Sequence, residues 1–269
     1  MVLYHIVEYT IGGQNMLFDT HAHYDDEQFN EDRDNLLLTL TNNGVESIVN
    51  VGASIASSLN TIELVEKYPF IYGAIGVHPS ESSELNNEKI AWLKEKSQHD
   101  KIVAIGEIGL DYYWDEPQRT VQKHWFEVQM ELAKEVNLPL IIHSRDAAKD
   151  TYEMMKSSRV ENIGGVIHCF SYSKEMAKSF LDMGFYLGIG GVVTFKNSTK
   201  LKEVVEYAPL NRLVLETDCP YLAPTPFRGK RNHSALLPYV VDEISNIKNI
   251  SREVVVEETT KNAKMLYHL

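Results

Sequence analysis

Leu17-Phe18-Asp19-Thr20-His21-Ala22-His23 opens as an apolar run and closes on two imidazoles. An open, doubly wound sheet of the dinucleotide-binding type would place a glycine-rich turn after such a strand; His-Ala-His stands there instead. Outward from it, apolar runs of strand length recur at Ser47 to Gly52, Ile71 to Val77, Ile102 to Glu107, Leu138 to His143, Gly164 to His168, Tyr186 to Gly190 and Leu213 to Thr217, eight in all. Amphipathic segments separate them. Between Thr120 and Asn137, the residues Val121, Trp125, Val128, Leu132, Ala133 and Val136 keep a helical spacing. Ser173 is placed to cap a helix bearing Met176, Ala177, Phe180 and Leu181, which Gly184 ends. Two further helices follow the eighth strand, one from Ser234 and one opened by Ser251. Strict alternation implies parallel strands with helical crossovers. Eight such units in 269 residues predict an α/β chain folded as a single (β/α)8 TIM barrel, with its site at the C-terminal ends of the strands.

Six possible metal ligands sit at or just beyond the ends of those runs: His21, His23, Glu107, His143, His168 and Asp218. His21 and His23 are two apart on a strand, so both project from one face and can bind one cation, and Asp19 is expected on that same face. Glu107 lies in the apolar context Ile105-Gly106-Glu107-Ile108-Gly109, costly for a carboxylate unless it is paired or metal-bound. Read alone, a salt-bridged Glu accounts for it equally well, and a lone His143 or His168 reads first as a hydrogen-bonded core histidine. The repetition of one design on consecutive strands shifts the balance toward function. Glu216 and Asp218 share a face; Asp218, at the strand end, is the expected ligand and proton acceptor, and Glu216 an orienting partner. Four histidines and two carboxylates at the ends of five strands point to a dinuclear site. A metal pair about 3.5 to 4 Å apart supports displacement at phosphorus or carbon.

The charge balance, 26 basic against 38 acidic residues for a net of -12, argues against holding nucleic acid by a broad electrostatic surface. A substrate phosphate would need a local positive site. Pro224-Thr225-Pro226-Phe227-Arg228-Gly229-Lys230-Arg231-Asn232 follows Asp218 closely and is expected over the barrel mouth, where Arg228 can grip a phosphate bidentately; an exposed loop with solvated charges is the plainer alternative. His78, ending the third strand, Tyr112, Arg145 and Asn232 complete the candidate substrate contacts, with Tyr112 able either to stack on a base or to pack at a loop root.

No run approaches the roughly 18 apolar residues of a membrane span, so no membrane partner is expected, and no obligate protein partner is evident. Residues 1 to 15 lack the marks of a signal peptide and precede Met16, a natural start to the first strand. They are expected to be an extension preceding the barrel domain at residues 16 to 269, and a cytoplasmic location is expected. The cysteines, Cys169 and Cys219, each follow a candidate ligand. Strand alternation would turn both thiols outward, on strands two apart and about 9.5 Å from each other, too far for a disulfide.

The motifs Phe18-Asp19-Thr20-His21-Ala22-His23, Gly76-Val77-His78-Pro79, Gly106-Glu107-Ile108-Gly109-Leu110-Asp111-Tyr112, Ile142-His143-Ser144-Arg145, His168-Cys169-Phe170-Ser171, Glu216-Thr217-Asp218-Cys219-Pro220-Tyr221 and Pro226-Phe227-Arg228-Gly229, with Asn232 beyond, closely resemble those of the TatD family of metal-dependent deoxyribonucleases, among the amidohydrolase-like barrel hydrolases. The resemblance runs from Met16 onward. It implies a divalent-metal-dependent 3′ to 5′ exodeoxyribonuclease, described as magnesium-dependent, acting on single-stranded DNA or 3′ ends. By matching motif, His21 and His23 would bind one metal with Asp218, His143 and His168 the other, and Glu107 would bridge them; Asp218 would act as base. The histidine content physically favours Zn²⁺ or Mn²⁺ over Mg²⁺, so the two divalent ions stay open among these three. The same barrel and metal pair also support hydrolysis of a carbon ester or amide, for example on aminoacylated RNA. A non-catalytic metal-binding scaffold would predict a missing ligand, base or phosphate loop, and none is missing.

Overall fold

The computed structural model describes residues 16–114 and 116–269; the expected extension at residues 1–15 lies outside them. Eight strands alternate with helices: β1 (Leu17–Ala22), α1 (Arg33–Leu40), β2 (Val45–Val51), α2 (Ile55–Lys67), β3 (Ile71–Ile75), α3 (Asn87–Lys96), β4 (Ile102–Asp111), α4 (Arg119–Val136), β5 (Leu140–Arg145), α5 (Ala148–Ser157), β6 (Gly165–Ile167), α6 (Lys174–Asp182), β7 (Tyr186–Ile189), α7 (Thr199–Tyr207), β8 (Leu213–Leu215), α8 (Leu237–Lys248) and α9 (Arg252–Leu266). Neighbouring strands pair in parallel and in chain order. A parallel bridge between Ala22 and Cys219 brings β1 against the end of β8. This is the expected (β/α)8 barrel.

The two-residue alternation of strand side chains sorts the apolar residues into two shells. Leu140 and Ile142, Ile167, and Leu213 and Leu215 pack in the large shell between strands and helices. Ile141, Val166 and Val214 join Phe18, Val49, Val51 and Val103 in a second cluster, which Ala263, Leu266 and Tyr267 at the end of α9 cover. That second cluster fills the barrel interior. Two residues further along the same interior face come His143, His168 and Glu216, so the apolar plug gives way to polar groups at the C-terminal mouth.

Five strands, β2, β3, β6, β7 and β8, end one or two residues before their apolar runs. Cys169 (φ 45°), two residues past β6, and Asp218 (φ 56°), three past β8, adopt left-handed backbone. β4 instead runs on to Asp111, because Ile108 through Asp111 pair with Ile142 through Arg145 of β5. Gly109 is required for this: at φ +147° a Cβ would lie 1.9 Å from the His143 carbonyl oxygen.

The helices obey their sequence signals with one rotation. α6 ends in a paired C-terminal motif, Gly184 N–H donating to Leu181 and Phe185 N–H to Phe180, as its glycine predicts. Ser173 stands at the N-cap position but makes no side-chain cap bond. On α4 the buried face is centred on Gln122, Phe126, Gln129 and Ala133, while Val121, Trp125, Val128 and Val136 are only partly buried. The two glutamines turn inward because each satisfies backbone at a strand end. Gln122 bonds both the N–H and the carbonyl of Asp111, and Gln129 does the same for Val77. Among the described residues no helix is long and apolar enough to cross a membrane.

Candidate metal centre

The histidines of β1 are set by a register shift. β1 slips against β2 between Asp19 and Ala22, so simple alternation fails and Asp19 does not share the face of His21 and His23 as expected. Asp19 lies at the junction with β8, accepting from the Thr217 N–H (3.0 Å), the Thr217 hydroxyl (2.7 Å) and the Ser234 hydroxyl (2.7 Å). Burial lifts its pKa to about 7 against those bonds. His23 is fixed by a contact of 2.8 Å from Nδ1 to the Val51 carbonyl oxygen. A carbonyl only accepts, so Nδ1 carries the hydrogen and Nε2 of the neutral ring is the nitrogen free to bind.

Glu107 stands at the centre, almost fully buried. Its Oε1 faces His143 Nδ1 (2.8 Å), His168 Nε2 (3.5 Å) and His78 Nε2 (4.0 Å). Its Oε2 faces His21 Nε2 (3.6 Å) and His23 Nε2 (3.9 Å). Asp218 Oδ1 closes the second group at 3.4 Å from His23 and 3.8 Å from His21, and lies 3.9 Å from His168. All six expected ligands therefore converge, and two triads among them, His21–His23–Glu107 and Glu107–His143–His168, bring their ligand atoms within 4.8 Å of one another.

Outer partners orient these rings. Glu216 Oε1 lies 3.3 Å from His168 Nδ1 and accepts the Cys169 N–H at 2.6 Å. Gly188 makes room for this carboxylate: a Cβ there would lie 2.1 Å from Glu216 Oε2. Asp111 Oδ2 sits 3.1 Å from His143 Nε2, leaving Nδ1 toward Glu107.

Charge follows contact. Burial opposes ionisation of Glu107 and Asp218, but the His168 charge and bonds to other imidazoles hold both below the usual carboxylate range, Glu107 well below. Burial likewise opposes protonation of His23 and His168. The bond to Asp218 nonetheless raises His23 to about 9, and the charges of Glu216, Glu107 and Asp218 raise His168 to about 10. His21 is lowered by burial and by His168. His21 Nε2 and His23 Nε2 face each other at 3.0 Å, and His21 Nδ1 is a buried nitrogen without a partner. Two imidazole nitrogens in that relation can share only a proton or a cation. With adjacent carboxylates, the donor set fits a divalent metal.

The expected substrate contacts divide. His78 borders the centre: the Ser80 N–H donates to Nδ1, so the neutral ring carries its hydrogen on Nε2, facing the site. Burial and the neighbouring His143 lower its pKa to about 3, keeping it neutral. Arg145 and Arg228 are exposed, stacked on Tyr113 (3.8 Å) and Phe195 (4.2 Å) respectively. Tyr112 is partly buried, its hydroxyl donating to Asp150 and its ring under Arg119. Asn232 departs from expectation. It is wholly buried, and its amide donates to the Thr217 and Tyr221 carbonyls while its oxygen accepts the His233 N–H, so it braces the turn that carries Asp218.

Both thiols are free, as expected, but Cys169 does not point outward. Its sulfur lies within 4.8 Å of the ligand atoms of His168 and Asp218, because its left-handed backbone ends strand alternation. Asp111, Gln122 and Gln129 are positioning residues that motif reading passed over. The available signal was two glutamines seven apart on an otherwise apolar helix face.

The TatD-related DNase family model matches residues 18–268. The uncharacterized metal-dependent hydrolase YabD of Bacillus subtilis is 47% identical over 254 residues, 94% of this chain and 100% of that protein. The 3′-5′ ssDNA/RNA exonuclease TatD of Pantoea vagans is 30% identical over 94% of this chain and all of its own length. Among solved structures, the TatD homolog YJJV of Escherichia coli superposes with a TM-score of 0.89 at 29% identity, covering 94% of this chain and 98% of that one.

Proposed function

This chain belongs to the TatD-related DNase family and is a metal-dependent hydrolase, and from that premise we propose that it removes nucleotides from the 3′ ends of single-stranded DNA using two divalent cations. The observation that carries this reading is the division of Glu107, whose Oε1 and Oε2 face different imidazoles. In this reading His21, His23, Asp218 and Glu107 would hold one ion, and His143 and His168 with Glu107 would hold the other. Such ions, Mg²⁺, Mn²⁺ or Zn²⁺, supply Lewis acidity toward a phosphate oxygen and lower the pKa of a water molecule.

The protein's own groups do the rest. Asp218, ionised at neutral pH, accepts the proton of the attacking water. His78 offers a neutral Nε2–H to a phosphate oxygen, with no charge for the substrate to displace. Arg145 and Arg228, exposed cations on aromatic faces, receive the phosphates beside the cut bond. The exonuclease named among the relatives supports a strand substrate.

The test is metal-stripped protein incubated with end-labelled single-stranded DNA and RNA, with and without Mg²⁺, Mn²⁺ or Zn²⁺, beside the Asp218→Ala variant. Metal-dependent release of mononucleotides from the 3′ end, lost in the variant, is expected. A folded, metal-loaded protein that cleaves no strand but hydrolyses an acyl ester would replace this reading with carbon-ester chemistry.

A further inference from the structure

Beside the metal centre the chain exposes two large aromatic side chains in sequence. Tyr113 is 55% exposed and Trp114 65% exposed, two and three residues past the end of β4. Adjacent exposed aromatic side chains form a local apolar surface of the kind that contacts a ligand. Their rings meet edge to face, centroids 4.9 Å apart at 90°, so the pair offers two perpendicular flat faces. Arg145 lies over the Tyr113 ring at 3.8 Å from its centroid, so its guanidinium covers one face of Tyr113.

The anchorage of this turn ties it to the chemistry. Asp111 Oδ1 accepts the N–H groups of Tyr113 (2.9 Å) and Trp114 (3.4 Å), while Oδ2 of the same carboxylate holds His143 Nε2 at 3.1 Å. Gln122 in turn clamps both backbone polar groups of Asp111. One rigid carboxylate thus sets a candidate metal ligand and the aromatic turn together. Trp114 lies no more than three Cα steps, about 11 Å, from Asp111. Tyr112, the neighbour with the family-like position, has its hydroxyl engaged by Asp150 and is partly buried.

We propose that Tyr113 and Trp114 form a nucleobase-stacking subsite that seats an unpaired base of the substrate strand beside the bond to be cut, with Arg145 meeting the adjoining phosphate. The inference rests on the nuclease reading and names a subsite for it. Flat π-faces accept any base, so the subsite is tolerant of sequence. It also selects single strands, because a base held in a duplex has no free face to offer.

The test compares metal-loaded wild type with Tyr113→Ala, Trp114→Ala and Trp114→Phe on two single-stranded oligonucleotides, one normal and one carrying abasic tetrahydrofuran residues at its 3′ positions. Trp114→Ala is expected to raise KM for the normal strand about five- to a hundredfold with kcat little changed. It should leave the abasic strand unaffected, and Trp114→Phe should restore most of the loss. Equal effects on both strands, or none on either, would overturn the subsite. Tryptophan emission titrated with a non-hydrolysable methylphosphonate oligonucleotide separates the two readings. Quenching present in wild type and lost in Trp114→Ala supports the subsite even where no strand is cleaved; cleavage without such quenching rejects the subsite and retains the nuclease.

Discussion

The metal centre is held from two sides that are built differently. On one side β4 and β5 form an extended ladder in which Gly109 pairs with His143 and Asp111 with Arg145, so His143 rides on continuous backbone pairing, while Glu107 stands in the irregularity between Ile105 and Ile108 with its N–H donating to the Gly52 carbonyl. On the other side β8 meets β1 through a single bridge, Ala22 to Cys219, and that seam carries His21, His23 and Asp218. Side chains replace the missing ladder there. Thr20 donates to the Leu215 carbonyl, Tyr267 to the Thr20 carbonyl, and Asp19 gathers Thr217 and Ser234. A ladder spreads its strength over many equivalent bonds, whereas the seam relies on two backbone bonds, Asp218 N–H to His21 and His23 N–H to Cys219, and on a few buried side-chain bonds centred on Asp19. The two sides of one centre are therefore expected to differ in their tolerance to mutation.

Glu107 belongs to both sides and gives the largest effect. Glu107→Ala should lower kcat about a thousandfold and reduce bound metal, measured by elemental analysis of the same sample. A variant that keeps full metal and activity would sink the shared-centre picture. The next effect separates the sides. Asp19→Ala leaves the Thr217 N–H, the Thr217 hydroxyl and the Ser234 hydroxyl without their acceptor, a loss of about 2 to 4 kcal/mol in unfolding free energy. Denaturant melts would read it, and a loss below about 1 kcal/mol would mean the seam does not depend on Asp19.

Asp111→Asn probes the ladder side and should act on function instead. Asp111 uses one oxygen for two backbone N–H groups and the other for His143. An asparagine has only one acceptor oxygen, so its amide must face either the Tyr113 turn or the imidazole. Facing the imidazole, it favours the tautomer that puts hydrogen on Nδ1, toward Glu107. Metal affinity or activity should fall about 10- to 100-fold with the melt nearly unchanged. A variant that instead unfolds like Asp19→Ala would erase the contrast between the two sides.

What the sequence made legible follows the same physical line. Strand ends marked by His143, His168 and Asp218 could be read because alternation along one strand is a local property, and it carries the interior face from Ile141 to His143 and from Val214 to Glu216. Asp19 and Cys169 could not be, because a register shift in β1 and a left-handed residue after β6 break alternation where it was being extrapolated. Asn232 lay in a loop whose basic neighbours pointed to substrate, yet its partners are backbone carbonyls 11 and 15 residues away. Gln122 and Gln129 depended on contacts to strand ends 11 and 52 residues distant. Properties set by one element were readable; those set by the docking of two were not.

The smallest effect lies at the seam's outer edge. Arg231, in the loop after β8, grips Asp32, before α1, with two bonds of 2.8 and 2.6 Å. The Arg231 bond holds the Asp32 carboxyl below its ordinary value of 3.8. A carboxylate lowered in the folded state contributes stability that is present above its unfolded pKa and is lost as pH falls through the folded one. Both groups are partly exposed, so solvent screening limits the pair to about 0.5 to 1 kcal/mol. Arg231→Ala should therefore melt slightly below wild type from pH 5 to 8, with the gap closing under pH 3.8 as Asp32 is protonated. A gap that persists into acid would show that Arg231 steadies the seam through its bond to the Gln28 carbonyl (2.6 Å) and its stack on Phe29, 4.7 Å away, with its charge pairing secondary.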